Sequence, residues 1–113
     1  MRRTLILGLV LCPAALQAET VTCVFETECL PGEACQSTTY DLSVTSNGDQ
    51  YTLSDINGDT PVARQETALG TLWSGASDFG FHFLSATADG ADYSLHIEGF
   101  DGAISYSGAC EIS

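Results

Sequence analysis

The sequence predicts an all-β fold: a small antiparallel up-and-down barrel or sandwich of about seven to eight strands, disulfide-stapled. Three observations predict it. Apolar and polar residues alternate in short runs, turn residues separate these runs, and no segment shows a sustained helical period. A domain of this size buries a limited core, so cross-links between its cysteines would add needed stability.

The first half of the chain contains three runs with the strand pattern. Residues 21–26 and residues 40–45 each place apolar side chains at alternate positions, with Val24 as the one apolar residue among the others. Asn47-Gly48 follows, and this dipeptide is the strongest short signal for a hairpin turn. Residues 51–53 continue the alternation toward a second turn at Asn57-Gly58. The sequence therefore predicts consecutive antiparallel strands in this half.

The second half is predicted to continue as strands, with one short exception. Residues 62–73 form a weaker apolar segment, within which residues 63–69 are the one candidate for a helix. Phe79, Phe81 and Phe83 then alternate strictly with other residues, and we expect these three rings to face the core. The remaining turns and strands are predicted at Asp89-Gly90, residues 93–97, Asp101-Gly102 and residues 103–109.

Residues 1–18 have the layout of a secretory signal peptide. A basic start is followed by an apolar stretch and by Ala18 at the expected cleavage position. The apolar stretch is shorter than the roughly 20 residues of a membrane span, and lipoprotein processing at Cys12 is a further alternative. We expect a periplasmic or secreted protein, cleaved near Ala18, with no transmembrane span in the mature chain and a single β domain over residues 19–113.

The charge balance is strongly acidic. The 113 residues include 15 Asp and Glu against 3 Lys and Arg, a formal charge of −12. Loss of the leader would remove two arginines, leave Arg64 as the only basic residue and give −14. Nucleic acid is not expected as a partner because its phosphates need clustered Lys and Arg. The acidity would attract basic proteins and cations, and adaptation to salt is its simpler explanation. The partner that we expect is a basic protein or a small ligand.

Four cysteines remain once the leader and its cysteine are removed. Four cysteines allow three pairings, and their spacing alone does not choose among them. We favour the pairs Cys29–Cys35 and Cys23–Cys110. Pro31-Gly32 favours a tight turn within the first pair, and the second pair would tie the first strand to the last. The spacings do not match the close cysteine pairs of structural zinc sites, so no cofactor is expected.

The turn at Asn57-Gly58 gives one weak metal candidate. Counted from Asp55, acidic or amide residues fall at ligand positions of a helix–loop–helix calcium site, but Thr60 stands where that loop needs glycine. The candidate calcium ligands are Asp55, Asn57, Asp59 and Glu66. An Asx-rich hairpin turn is the simpler interpretation, because the flanking segments have strand patterns.

The two histidines, His82 and His96, are predicted on the sheet face opposite the three phenylalanines. If the loop at Asp89 has an odd number of residues, they would lie opposite each other on neighbouring strands. Such a pair could share a metal or titrate together near neutral pH. Two solvent-facing histidines are the simpler interpretation.

Trp73, Ser74 and Gly75 lie at a predicted break between strands and are weak candidates for a binding loop. A tryptophan on a turn can anchor a protein interface, whereas the single tryptophan of a small domain more often belongs to its core.

Catalytic signals are weaker still. The sequence has no Gly-x-Ser-x-Gly elbow, and the predicted disulfides leave no free thiol, so we do not expect an enzyme.

An early cysteine joined to a late one, Cys23 to Cys110, and the Ser74-Gly75 pair are similar in outline to the small periplasmic inhibitors of C-type lysozyme. This resemblance implies an eight-stranded barrel with a Ser-Gly-containing loop that plugs the lysozyme cleft. The aromatic and lysine residues expected around such motifs are not in place, so no site residue is transferred.

Three functional hypotheses follow. The leading one is a non-catalytic protein- or ligand-binding module of the cell envelope, because the chain combines an export signal, predicted disulfides and acidity with no catalytic motif. Inhibition of a basic hydrolase such as C-type lysozyme is the alternative. A small hydrolase is the second alternative.

Overall fold

The computed structural model describes residues 19–112, and its regular secondary structure is entirely β. The predicted signal peptide, with Cys12, lies outside the described residues. Within those residues, no helix has the length and apolar character needed to cross a membrane. The strands are β1 (Thr20–Cys29), β2 (Gln36–Asn47), β3 (Gln50–Asp55), β4 (Gly58–Glu66), β5 (Gly70–Ala76), β6 (Gly80–Thr87), β7 (Gly90–Ile97) and β8 (Ile104–Ile112).

The eight strands close into a barrel in chain order. Each strand pairs antiparallel with the next, and β1 pairs with β8. The predicted up-and-down barrel is therefore confirmed over the sandwich alternative, and closure leaves no free sheet edge.

Both predicted disulfides are present. Cys23–Cys110 lies directly across the β1–β8 ladder, and Cys29–Cys35 closes the β1–β2 loop.

Three hairpin turns share a Ser/Thr-x-x-Gly sequence and recur every ten residues, a spacing that our sequence analysis overlooked. They are Thr67–Gly70, Ser77–Gly80 and Thr87–Gly90. In each turn the hydroxyl oxygen accepts the backbone N–H two residues later, at 3.1–3.2 Å. This local bond holds the turn and competes with helical geometry, which is why Ser and Thr favour such positions.

Two local predictions in the second half are wrong. The helix candidate at residues 63–69 forms the end of β4 and a turn, because residues 63–66 pair with β5 and this pairing outweighs a short helical propensity. The expected break at Ser74-Gly75 lies inside β5. A Cβ at Gly75 would stand 2.2 Å from the Pro61 carbonyl oxygen, so glycine here permits close approach of β4.

The orientation of β6 is opposite to the predicted one. Phe79, Phe81 and Phe83 are 43%, 44% and 38% exposed, whereas His82 and Leu84 face the barrel interior. The cause is the β6–β7 hairpin. Its two-residue loop pairs Thr87 with Gly90, and this register places His82 and Leu84 on the same face as the buried side chains of β7. Alternation alone defined two faces and could not say which one is inside.

The barrel interior is filled by the inward side chains of all the strands. Aromatic rings occupy much of it, which agrees with the narrow lumen of an eight-stranded barrel. The buried apolar residues are Val21, Cys23, Phe25, Leu42, Val44, Leu53, Val62, Trp73, Leu84, Ala91, Tyr93, Leu95 and Tyr106.

Candidate functional site

One end of the barrel carries acidic residues on the elements around its rim. It carries the β1–β2, β3–β4, β5–β6 and β7–β8 connections, and we call it the acidic end. A Cβ at Gly102 would stand 2.9 Å from Pro31, so the first and last of these connections touch. Its acidic residues are Glu28, Glu33, Asp55, Asp59, Asp78, Glu98 and Asp101. Arg64 lies toward the opposite end, where it contacts Glu66 at 2.9 Å.

A buried histidine lies inside the barrel beneath the acidic end. His82 is only 2% exposed. Its Nε2 lies 2.9 Å from the Ser77 hydroxyl, and its Nδ1 lies 2.6 Å from the Tyr93 hydroxyl. A neutral imidazole donates at one nitrogen and accepts at the other, so both contacts are satisfied without a charge. Burial lowers the pKa of His82, and the carboxylate of Asp55 opposes this effect.

Three tyrosine rings connect this histidine to acidic side chains. Tyr93 stacks on Tyr40 and on Tyr106, with ring centroids 6.0 and 5.9 Å apart. The Tyr40 hydroxyl donates to Asp55, and the Tyr106 hydroxyl donates to Glu28 at 2.8 Å. The buried phenols therefore have partners, as buried polar groups require.

The pKa values of these tyrosines are raised. Burial is the main cause for all three, and the hydrogen bond to Asp55 adds to the shift at Tyr40. Burial and the hydrogen bond to Glu28 raise the pKa of Tyr106 to about 12. All three hydroxyls keep their protons at neutral pH, and those of Tyr40 and Tyr106 donate to Asp55 and Glu28.

The contact between Ser77 and His82 brings together a hydroxyl and a base, which is the pair that a hydrolase needs. The same hydroxyl oxygen also accepts the N–H of Phe79 at 3.1 Å. Thr67 and Thr87 make the equivalent bond in their own turns. The position of Ser77 is therefore explained by the turn, and it does not by itself indicate catalysis.

The metal candidates from the sequence are not assembled. Asp55, Asn57 and Asp59 flank the β3–β4 turn, whereas Glu66 ends β4 at the far side of the barrel. Asp55 accepts the N–H of Asn57 at 2.9 Å, as the Asx-turn interpretation expects. Across residues 19–112, no group of three or more His, Cys, Asp or Glu side chains is arranged to hold a metal ion.

The two histidines do not pair, and the simpler interpretation of two solvent-facing histidines is correct for His96 and wrong for His82. His96 lies opposite Phe81 on the outer face, whereas His82 points inward. The reason is the loop at Asp89, which has an even number of residues and so does not bring the two rings to one face.

The aromatic stripe, formed by Phe79, Phe81 and Phe83, is the main apolar feature of the outer surface near the acidic end. Ala76 and His96 lie across from Phe81 on the neighbouring strands. Two serines flank Phe83: Ser74 on β5 and Ser94 on β7. These small or uncharged neighbours leave the rings accessible along the strand.

A pocket of about 190 Å³ adjoins the stripe at the acidic end. It lies between the β3–β4 and β5–β6 connections, beyond the Ala63–Ser74 pair that ends the β4–β5 ladder. The lining of the pocket includes Asp55, Asn57, Asp59, Ser77, Asp78 and Phe79. Phe79 thus belongs to both the pocket and the stripe.

The Trp73 segment contributes to the core rather than to a loop. Trp73 is 4% exposed, and its indole N–H has no hydrogen-bond partner. Ser74 faces outward beside Phe83, and Gly75 lies against β4. The Ser-Gly loop that the lysozyme-inhibitor resemblance implied is therefore not formed by these residues.

Acidification is expected to weaken the fold through His82. Because its pKa is lowered in the folded state, the unfolded chain takes up a proton first. The contribution of neutral His82 to the free energy of unfolding is complete above the unfolded pKa of about 6.5. As the pH falls below that value, the free energy of unfolding decreases by up to about 1.4 kcal/mol per pH unit. Urea unfolding between about pH 7.5 and 5.5 measures this slope.

The matched control for this experiment is His96, the surface histidine. His82→Gln should reduce the change in unfolding free energy between these pH values. His96→Gln should leave that change as it is in the unmodified chain. Equal slopes in the His82→Gln variant and the unmodified chain would rule out the buried imidazole as the source.

No protein-family model, curated protein or solved structure matches this chain. Its function is therefore inferred from its own interior and surface.

Proposed function

We propose that this chain is a non-catalytic protein-binding module of the cell envelope, and that the aromatic stripe is its contact surface. The observation that carries the proposal is the exposure of three phenylalanine rings at successive outward positions. Aromatic side chains are enriched at protein interfaces, and exposed apolar patches mark interaction sites.

The filled interior supports a contact on the outside of the barrel. Large side chains such as Phe25, Leu53 and Tyr93 are fully or almost fully buried in the lumen. A small ligand would have to displace them to enter. The pocket that adjoins the stripe is about 190 Å³, less than the roughly 300–1,000 Å³ of most small-molecule sites, and two larger pockets of about 410 and 580 Å³ lie elsewhere on the surface.

Two features support a location in the envelope or outside the cell. Both disulfides need an oxidising compartment to form and persist. The composition of residues 1–18 is that of a cleavable export signal.

Capture from an envelope extract tests the proposal. Residues 19–113 are immobilised as the unmodified chain, as Phe81→Ser/Phe83→Ser and as Val24→Ser. Val24 is the matched control, because it is 45% exposed on the outer face of β1, away from the stripe. We expect a protein that is retained by the unmodified chain and by Val24→Ser, but about tenfold less by the double variant.

If all three columns retain the same proteins equally, the stripe is not the contact surface. Inhibition of a basic hydrolase such as C-type lysozyme is the most specific form of the proposal. A lysis assay with a molar excess of the same three proteins separates this form from binding to another partner.

A further inference from the structure

We infer, resting on the proposed binding function, that the partner presents a cationic amphipathic segment. Its apolar side chains would pack on the aromatic stripe, and a Lys or Arg side chain would enter the adjacent pocket of Asp55, Asp59 and Asp78.

The two parts of this surface are continuous. Phe79 begins the stripe and also lines the pocket, and Asp78 precedes it in the same turn. Phe81 and Phe83 lie about 7 Å apart on the outer face of β6, and Phe79 stands in the turn before the strand. An extended segment with alternating side chains matches this spacing and reaches the pocket at its end.

The charges of this surface call for a cation from outside the chain. Arg64 is the only Lys or Arg within residues 19–112, and it lies toward the opposite end in contact with Glu66. Asp59 and Asp78 therefore line the pocket with no Lys or Arg of residues 19–112 beside them. A partner cation placed there gains from all three carboxylates, which favours both encounter and orientation.

Two other occupants fit less well. A second copy of this chain would bring one acidic end and one net negative surface against another, which opposes association. A segment added as an extra strand would need an open sheet edge, and the closed barrel has none. The contact must therefore be made by side chains, across the outer face of β6.

Three synthetic peptides test this inference with the residue 19–113 chain: one with alternating Lys and Leu, one with Lys and Ser, and one with Glu and Leu. We expect the Lys-Leu peptide to bind about tenfold more tightly than either of the others. The Lys-Ser peptide keeps the charge without the apolar contact, and the Glu-Leu peptide keeps the apolar contact with the wrong charge. Fluorescence anisotropy measures all three affinities.

Paired variants locate the contact. Phe81→Ser/Phe83→Ser and Asp59→Asn/Asp78→Asn should each weaken Lys-Leu binding by about five- to tenfold. Two control variants should change the affinity for the Lys-Leu peptide by less than about twofold. Val24→Ser alters an exposed apolar side chain elsewhere, and Asp49→Asn/Asp89→Asn removes the same charge from turns at the opposite end. Thermal unfolding confirms that each variant is folded.

Three results would overturn the inference. They are no binding of the Lys-Leu peptide, equal affinity for the Lys-Leu and Lys-Ser peptides, and an equal loss in the control acid pair. In any of these cases, Phe81→Ser/Phe83→Ser can still fail to retain an envelope protein that the unmodified chain captures. The protein-binding proposal then stands, and only the chemistry assigned to the partner is wrong.

Discussion

Replacing Cys23 and Cys110 by alanine is expected to lower the free energy of unfolding by about 4–5 kcal/mol. The bond joins residues separated by 87 positions, so it closes a long loop in the unfolded chain. It also crosses the β1–β8 ladder, where the barrel closes, and Cys23 is fully buried. Since 1 kcal/mol shifts the melting temperature of a domain of this size by about 4–8 °C, the midpoint should fall by roughly 20 °C or more.

The second disulfide provides the control. Cys29–Cys35 spans only 6 positions, so its removal should cost about 2 kcal/mol in the chain-entropy description. Denaturant unfolding of both double-alanine variants gives the two losses. Equal losses, or a larger loss for the short loop, would contradict the role assigned to the barrel seam.

Phe25→Ala is expected to destabilise the fold by about 3–5 kcal/mol, because it removes a fully buried ring from a filled barrel. Phe25 contacts the tyrosine cluster, with ring centroids 5.9 Å from Tyr93 and 6.0 Å from Tyr106. The cavity left behind would loosen the tyrosines that donate to the acidic end.

The same substitution on the outer face is the matched control. Phe81→Ala removes a ring that is 44% exposed on the outer face, so the loss should stay below about 1 kcal/mol. Urea unfolding compares the two variants directly. A larger loss for Phe81→Ala than for Phe25→Ala would mean that β6 presents its phenylalanines to the core.

The architecture could be predicted from the sequence because local signals determine it. Asn47-Gly48 and Asp89-Gly90 lie at hairpin turns, and the alternating runs between such signals form strands. The pairing of Cys23 with Cys110 followed from joining the first strand to the last, which a closed barrel requires. The Ser/Thr-x-x-Gly spacing was also visible in the sequence and would have located the turns at Thr67–Gly70 and Ser77–Gly80 as well.

The surface could not be predicted because it depends on register between strands. Phe79, Phe81 and Phe83 are more apolar than Gly80 and His82, so hydrophobicity alone selects the wrong face. The correct face depends on the loop at Asp89 and on the strongly apolar inward set of β7. The partners of His82 come from different elements, Ser77 in a turn and Tyr93 on β7, and no sequence spacing brings them together.

Solvent accessibility of the phenylalanine rings, measured by NMR with a soluble paramagnetic agent, tests the central claim that the aromatic stripe is an exposed binding surface. In the free protein, ring protons of Phe79, Phe81 and Phe83 should relax strongly and those of Phe25 should be protected. Addition of the Lys-Leu peptide should protect the stripe and leave the exposed Val24 methyl groups unchanged. Stripe rings that are protected in the free protein, or that stay fully accessible with the peptide bound, would contradict the claim.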